Sequence, residues 1–164
     1  MSINKGYNDT PISGVTSLEL QRGLINYKDD FRILSETPNE VVLTNLTAPL
    51  DRPEKFRIAY NVIKDVYRNT DIHPNMRAAS SKGVNVLCQL TSTISEINDT
   101  DPTVRTDLPI SAHIVLKFPA AAAITAALIQ ETVGRLVSGL YETGSTDVVR
   151  LQSLMRGSLL PSDI

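Results

Sequence analysis

From residue 55 onward the apolar positions of this chain recur every second residue, through three long runs. In KFRIAYNVIKDVYR (55–68), Phe56, Ile58, Tyr60, Val62 and Val66 share one parity, and Arg57, Ala59, Asn61, Ile63, Asp65 and Tyr67 the other. In GVNVLCQLTSTISEI (83–97), Val84, Val86, Cys88 and Leu90 alternate with Asn85, Leu87, Gln89, Thr91 and Thr93. In PISAHIVLKF (109–118), Ile110, Ala112, Ile114, Leu116 and Phe118 alternate with Ser111, His113, Val115 and Lys117. A period of two predicts strands with one covered face and one wet face, which antiparallel sheets tolerate and parallel sheets rarely do.

After residue 118 the period changes. Leu128, Ile129, Val133, Leu136, Val137 and Leu140 keep helical spacing from Ile124 onward. Pro119 suits the first turn of that helix, where a missing N–H is harmless. Gly144 is expected to stop it, and Ser145 or Thr146 to cap a second helix running to Arg156. Val148, Leu151, Leu154 and Met155 give the second helix its stripe, and Gly157 and Pro161 end it. Upstream, residues 1–13 read as a flexible polar arm and 15–20 (VTSLEL) as a short strand. Residues 31–34 and 41–46 flank SETPNE, a turn built on Pro38 and Asn39. Pro49 and Pro53 keep 47–53 irregular, and 69–82 (NTDIHPNMRAASSK) is too polar and Pro-broken for a crossover helix. The expected fold is α+β: an N-terminal hairpin and antiparallel sheet, then two C-terminal helices, in one domain over 1–164. Its β region covers 15–118 and its helices 119–157.

That order poses a packing problem. Two helices cover about half of a sheet whose strands run to ~45 Å. The final strand has no successor to pair with, so it is expected at an edge, and a long apolar edge invites aggregation. A two-fold dimer answers both difficulties. The last strands pair into one continuous sheet, and each chain's helices reach over the other's. Ile114 and Leu116 on the strand, with Val133, Leu136, Val137 and Leu140 on the helix, are the expected interface.

Composition narrows the picture. Of 164 residues 41% are hydrophobic, but Trp is absent and aromatics make up 5%, so any core is aliphatic. The net charge of −2 gives no hint of a nucleic-acid partner. Its distribution does more: residues 51–90 carry seven Lys/Arg against four Asp/Glu, while 91–110 carry one Arg against four acids. The single cysteine, Cys88, excludes an internal disulfide and fits a reducing cytoplasm. The polar start MSINKGYNDT holds no signal-peptide core, and no stretch approaches the ~20 apolar residues of a membrane span.

The residues 43–69 (LTNLTAPLDRPEKFRIAYNVIKDVYRN), 82–97 (KGVNVLCQLTSTISEI), 105–142 (RTDLPISAHIVLKFPAAAAITAALIQETVGRLVSGLYE) and 150–161 (RLQSLMRGSLLP) resemble, in element order and character, the coat proteins of single-stranded RNA bacteriophages, the levivirus group. The resemblance implies a structural protein whose interlocked dimers close into an icosahedral shell around the RNA genome, in a virion made in a bacterial cytoplasm. It also implies that the inner sheet face binds an RNA hairpin and can thereby repress replicase translation. The chain is longer than the compact members, with its surplus in the first 30 residues and in 69–82.

If the wet face meets RNA, its polar parity supplies the contacts: Arg57, Asn61, Gln89, Thr91, Thr93, Ser111, His113 and Lys117. Arg and Lys suit phosphates; Asn, Gln and Thr suit unstacked bases or a 2′-OH. Tyr67 offers a stacking ring, with Asp65 weakening that end. The alternative reading of the same residues is that they are ordinary solvent-facing strand positions. His113 and His73 read as surface or packed imidazoles, and Cys88 as an inert core thiol. Cys88 and the two histidines lack a metal-ligand spacing. GSTD and SKGVNV lack a phosphate-loop ending. The acidic run 96–107 does not match a calcium loop. No cofactor is called for. The alanines 120–123 suit helix or a close approach to the sheet. Loop 69–82 is long enough to touch a neighbouring dimer, or to be a mobile surface loop. A small non-viral RNA-binding regulatory dimer is the alternative function. An enzyme on the sheet face is disfavoured, because Ser111 and His113, two apart on one strand, stand ~7 Å from each other.

Overall fold

The computed structural model describes residues 4–8, 10–14, 23–142 and 150–160. The strand expected over 15–20 lies outside the described residues, as do Gly144, Ser145, Thr146, Val148 and Pro161. The chain divides into two compact units, one formed by 1–21 with 122–164, the other by 22–121.

The second unit is a five-stranded antiparallel meander: β1 (Phe31–Thr37), β2 (Glu40–Asn45), β3 (Lys55–Ile63), β4 (Gly83–Ile97) and β5 (Arg105–Pro119). Thr37 pairs with Glu40 across Pro38 and Asn39, the turn that the sequence predicts. β1 carries a register shift between Ile33 and Ser35, which brings Leu34 out of step with β2. β4 has the bounds expected from its alternation. β3 is shorter than its apparent pattern: it stops at Ile63, and Asp65 and Tyr67 lie in the turn beyond. β5 is longer than expected, because Arg105–Asp107 already pair with Ile97–Ser95. The acidic run is therefore largely strand and tight turn. β5 lies at the sheet edge, as its place in the chain predicts. It contains Pro109 and ends on Pro119, residues that lack a ladder donor and are tolerated at edges.

In the other unit, α1 (Ala126–Ser138) begins later and ends sooner than its apolar spacing suggests. Pro119 belongs to β5 and does not start the helix, and 120–123 form the turn between strand and helix. Thr125 is the N-cap, its hydroxyl accepting from Leu128 N at 3.3 Å. Gly139 caps the C-terminus, so Leu140 lies beyond the helix and is not part of its stripe. α2 (Leu151–Met155) is little more than one turn. The arm is tied down: Lys5 pairs with Glu131, and the Arg135 guanidinium stands 4.4 Å from the Tyr7 ring while donating to Asn8 O.

Antiparallel partners share a face, so the register separates two surfaces. One carries Phe56, Ile58, Tyr60 and Val62 of β3, opposite Leu90, Cys88, Val86 and Val84 of β4 and, on β5, Ala112, Ile114, Leu116 and Phe118. This face is apolar, yet Tyr60, Val62, Ile94, Leu108 and Ile110 on it are exposed. Tyr27 meets Phe31 at a tilt and Phe56 edge-on, with ring centroids 5.9 and 5.8 Å apart, a small aromatic cluster at one side. Among the described residues only Phe31 (4% exposed) and Ala59 (9%) count as buried hydrophobics.

Gly83 is required by a close approach. A Cβ there would stand 2.7 Å from the Phe118 carbonyl oxygen and nearer still to Val66 Cγ1. Gly83→Ala is expected to cost about 1–3 kcal/mol through overpacking, read as a lower urea midpoint; an unchanged midpoint would refute the tight contact.

Candidate nucleic-acid interface

The opposite face holds all eight residues singled out by parity, on three neighbouring strands. Arg57, Gln89 and His113 form one row across β3, β4 and β5. Thr91 and Ser111 form the next, joined by Lys55. Asn61, Asn85 and Lys117 form a third, and Thr93 lies beyond Thr91 opposite Pro109. With strands ~4.8 Å apart and ~3.4 Å per residue, the patch is about 10 Å wide and 27 Å long. That is a surface on which a nucleic-acid strand can lie, with cations for phosphates and amides and hydroxyls for base edges.

The geometry alters three details. First, Ala59, Leu87 and Val115 form an apolar row through the middle of the patch. Second, Glu40 of β2 lies on this face, and its Oε2 accepts from Arg57 Nη2 at 2.7 Å. The hydrogen bond from Arg57 holds the Glu40 carboxyl below its usual range, so a phosphate reaching Arg57 must compete with Glu40. Lys55 and Lys117, by contrast, have no ion-pair partner among the described residues. Third, Tyr67 is engaged elsewhere: its hydroxyl accepts from Ala78 N at 2.8 Å, and the Arg77 guanidinium lies 5.5 Å from its ring. The stacking role considered for Tyr67 does not fit this arrangement. Lys55 and Asn85 were missed as candidates although their parity marks them. Glu40 was missed because pairing across two hairpins is invisible in one strand's alternation.

Beside the Asn61–Asn85–Lys117 row opens a groove of about 490 Å³ lined by Ile63, Tyr67, Arg68, Asn85, Lys117 and Phe118, among others. The other end of the face is locked by charge. Arg105 holds Asp107 through Nε at 2.9 Å and Nη2 at 2.9 Å, and reaches Asp51 at 2.7 Å. Ser95 donates to Asp107 at 2.6 Å and accepts from Arg52 at 2.7 Å. Two cations and two carboxylates balance there, so this end offers no net attraction to phosphate. Cys88 lies half-buried on the apolar face, between Ile58 and Ile114 in register. Among the described residues no cluster of His, Cys, Asp and Glu has metal-binding geometry, and no helix is long and apolar enough to cross a membrane.

No protein-family model matches the chain, and no curated protein does. Solved structures do. A chain of the virus-like particle of bacteriophage AVE015 is 28% identical, with a TM-score of 0.88 over 100% of this chain and 99% of its own. A chain of the virus-like particle of bacteriophage GQ-112 is 18% identical, with a TM-score of 0.71 over 97% and 96%, a likeness of fold. The full-length likeness to a phage particle subunit supports a coat protein of the levivirus-like RNA phages. The same likeness supports a structural role, in a capsid.

The carboxylate locks generate a pH prediction. Asp107 is lowered by the Ser95 and Arg105 hydrogen bonds, and Asp51 by the hydrogen bond from Arg105. A carboxyl lowered in the folded state contributes stability above its unfolded value, near 4, and loses it as pH falls through the lowered value. Carboxyl NMR titration should therefore place both midpoints below the ordinary aspartate range, and Arg105→Gln should return Asp51 toward it. Ordinary midpoints in the unmodified protein would refute the lock.

Proposed function

We propose that the coat protein works as an interlocked two-fold dimer, that such dimers close into an icosahedral shell around single-stranded RNA, and that the polar sheet face meets that RNA. The observation that carries this reading is the unfinished apolar surface. A chain of 164 residues with two buried hydrophobics among its described residues has exposed the face that should form its core. Hydrophobic burial is the dominant favourable term in folding, so the missing cover has to come from another copy.

The free edge of β5 is where a symmetry mate pairs, within 110–118, the stretch between its two prolines. Ile114 and Leu116 are half-buried on the apolar face of that strand and become interior once the partner's helix lies over them. Val133, Leu136 and Val137 of α1 supply the covering stripe, with Leu140 just past the helix end. Two polar faces then join into one surface, on which Arg57, Asn61, Gln89, Thr91, Thr93, Ser111, His113 and Lys117 contact an RNA hairpin. If that hairpin carries the replicase start, its capture represses translation in the bacterial cytoplasm where the chain is made.

Expression alone in bacteria should yield megadalton particles containing RNA, seen by negative-stain microscopy and gel filtration. A dimer at every salt concentration would end the shell reading. Leu136 is 65% exposed in the single chain, so a charge there costs the isolated fold little. Leu136→Asp should nonetheless abolish the dimer, because burying such a leucine contributes about 1.5–3 kcal/mol per copy; a stable mutant dimer would refute the interlocked helices. Lys117→Glu should weaken hairpin binding at low salt and flatten its salt dependence by at least about one phosphate contact. Unchanged affinity would remove Lys117 from the interface.

A further inference from the structure

The two ends of the long β-strands carry opposite charge. β4 is 15 residues long, so its ends stand about 50 Å apart. At its start lies the β3–β4 connection, 64–82, where Lys64, Arg68, Arg77 and Lys82 outnumber Asp65 and Asp71. At its finish lies the β4–β5 turn, where 96–104 holds Glu96, Asp99 and Asp101 and no cation. Among the described residues, Lys64, Arg68, Lys82, Glu96 and Asp99 take part in no ion pair. Among those residues, neither end is neutralised within its own chain.

Both ends are also ordered by their own hydrogen bonds. In the acidic turn, Asn98 Oδ1 accepts from Thr100 N at 2.8 Å and Asp101 N at 3.2 Å, and Asp101 Oδ1 accepts from Thr103 N and Oγ1 at 3.1 and 2.6 Å. In the basic loop, Val66 N reaches Ser81 O at 2.8 Å and Ala78 N reaches the Tyr67 hydroxyl. Surfaces held in advance lose less entropy on binding. Each has an apolar centre inside its charged rim: Ile97 and Val104 (53% exposed) in the turn, Ile72 and Met76 (80% exposed) in the loop. Apolar centre and polar rim are the anatomy of a protein interface.

We propose that dimers of this coat protein meet head to tail, the acidic β4–β5 turn of one copy seated on the basic β3–β4 loop of a copy in another dimer. This rests on the shell reading. The partner is chosen by charge. The turn repels phosphate and other copies of itself, whereas the loop supplies the opposite sign at a similarly sized apolar centre. A head-to-tail contact is heterologous, so it closes into rings when its rotation permits, which is what a shell needs around its axes. At physiological salt the attraction acts only within about 8 Å, so it selects the docked arrangement over others at contact.

Charge reversal tests it on the full chain. Glu96→Lys with Asp99→Lys, and separately Arg68→Glu with Lys82→Glu, spare Asp101 and Tyr67, which hold the two loops. Each double variant is expected to remain a dimer by gel filtration, with particle yield down at least tenfold at physiological salt. The quadruple variant, both ends reversed, is expected to regain particles. Wild-type particle yield from either double variant overturns the contact. So does failure of the quadruple variant to recover while it remains a folded dimer. If the basic loop instead serves RNA, Arg68→Glu with Lys82→Glu lowers RNA affinity and reversing the turn brings no recovery, which also overturns it. Absence of particles from the unmodified chain would sink the shell reading, and this contact with it.

Discussion

The apolar sheet face is the constraint from which the rest follows. Alternation along β3, β4 and β5 places aliphatic side chains on one side and polar ones on the other. Water is excluded from very little of the apolar side within one chain. A sheet of this size with so small an interior gains too little hydrophobic free energy to offset the entropy of ordering its backbone. If a second copy supplies the cover, as proposed, stability and assembly are one quantity, and the folded state depends on protomer concentration. A coat protein can use that dependence, since its chains accumulate together before a shell closes.

Period-two alternation made the long strands legible in the sequence. β4 matched its expected bounds, and the hairpin turn at Pro38 and Asn39 fell where its residues placed it. The eight candidate contact residues came together because they share parity, and parity survives modest errors in strand length. The boundaries were less legible. β3 stops early because the chain turns at 64–67, where Asp65 accepts from Tyr67 N at 2.9 Å, yet Val66 continues the apolar rhythm by coincidence. β5 starts early because Arg105 and Asp107, two apart along the strand, pair with each other while Ser95 of β4 bonds Asp107 across it, and charged residues read locally as loop. The helix began late because Thr125 caps it. The alanines 120–123, though strong helix formers, complete the turn after Pro119.

The pairing of Arg57 with Glu40 changes what the polar face can do. Five cations on its strands, Arg32, Lys55, Arg57, Arg105 and Lys117, face two carboxylates, Glu40 and Asp107. Arg105 is held by Asp51 and Asp107, and Arg32 donates to the backbone carbonyls of Lys28 and Phe31. The attraction for phosphate is thus concentrated at Lys55 and Lys117, with Arg57 in reserve behind Glu40. A strand of RNA drawn to the two lysines, as proposed, would pass the amides of Gln89 and Asn85 and the hydroxyls of Thr91 and Ser111. Position would come from phosphate contacts and discrimination from the uncharged groups, a division common in nucleic-acid recognition.

The same register that separates the faces also separates the tasks. In the proposed assembly, residues on the apolar face meet another chain's cover, and residues on the polar face meet the enclosed RNA. Each β5 position serves one or the other by parity alone: Ile114 and Leu116 look one way, His113 and Lys117 the other. A one-residue slip of β5 against β4 would exchange the two sets together, placing leucine on the polar face and lysine on the apolar one. Selection on either face therefore holds the register for both. Gly83, wedged against Val66 and the Phe118 carbonyl, sets it at one end, and the Arg105–Asp107–Ser95 lock sets it at the other. Between these two pins the strand pair has little freedom to slide. That is why a chain with so little interior can still present two distinct surfaces.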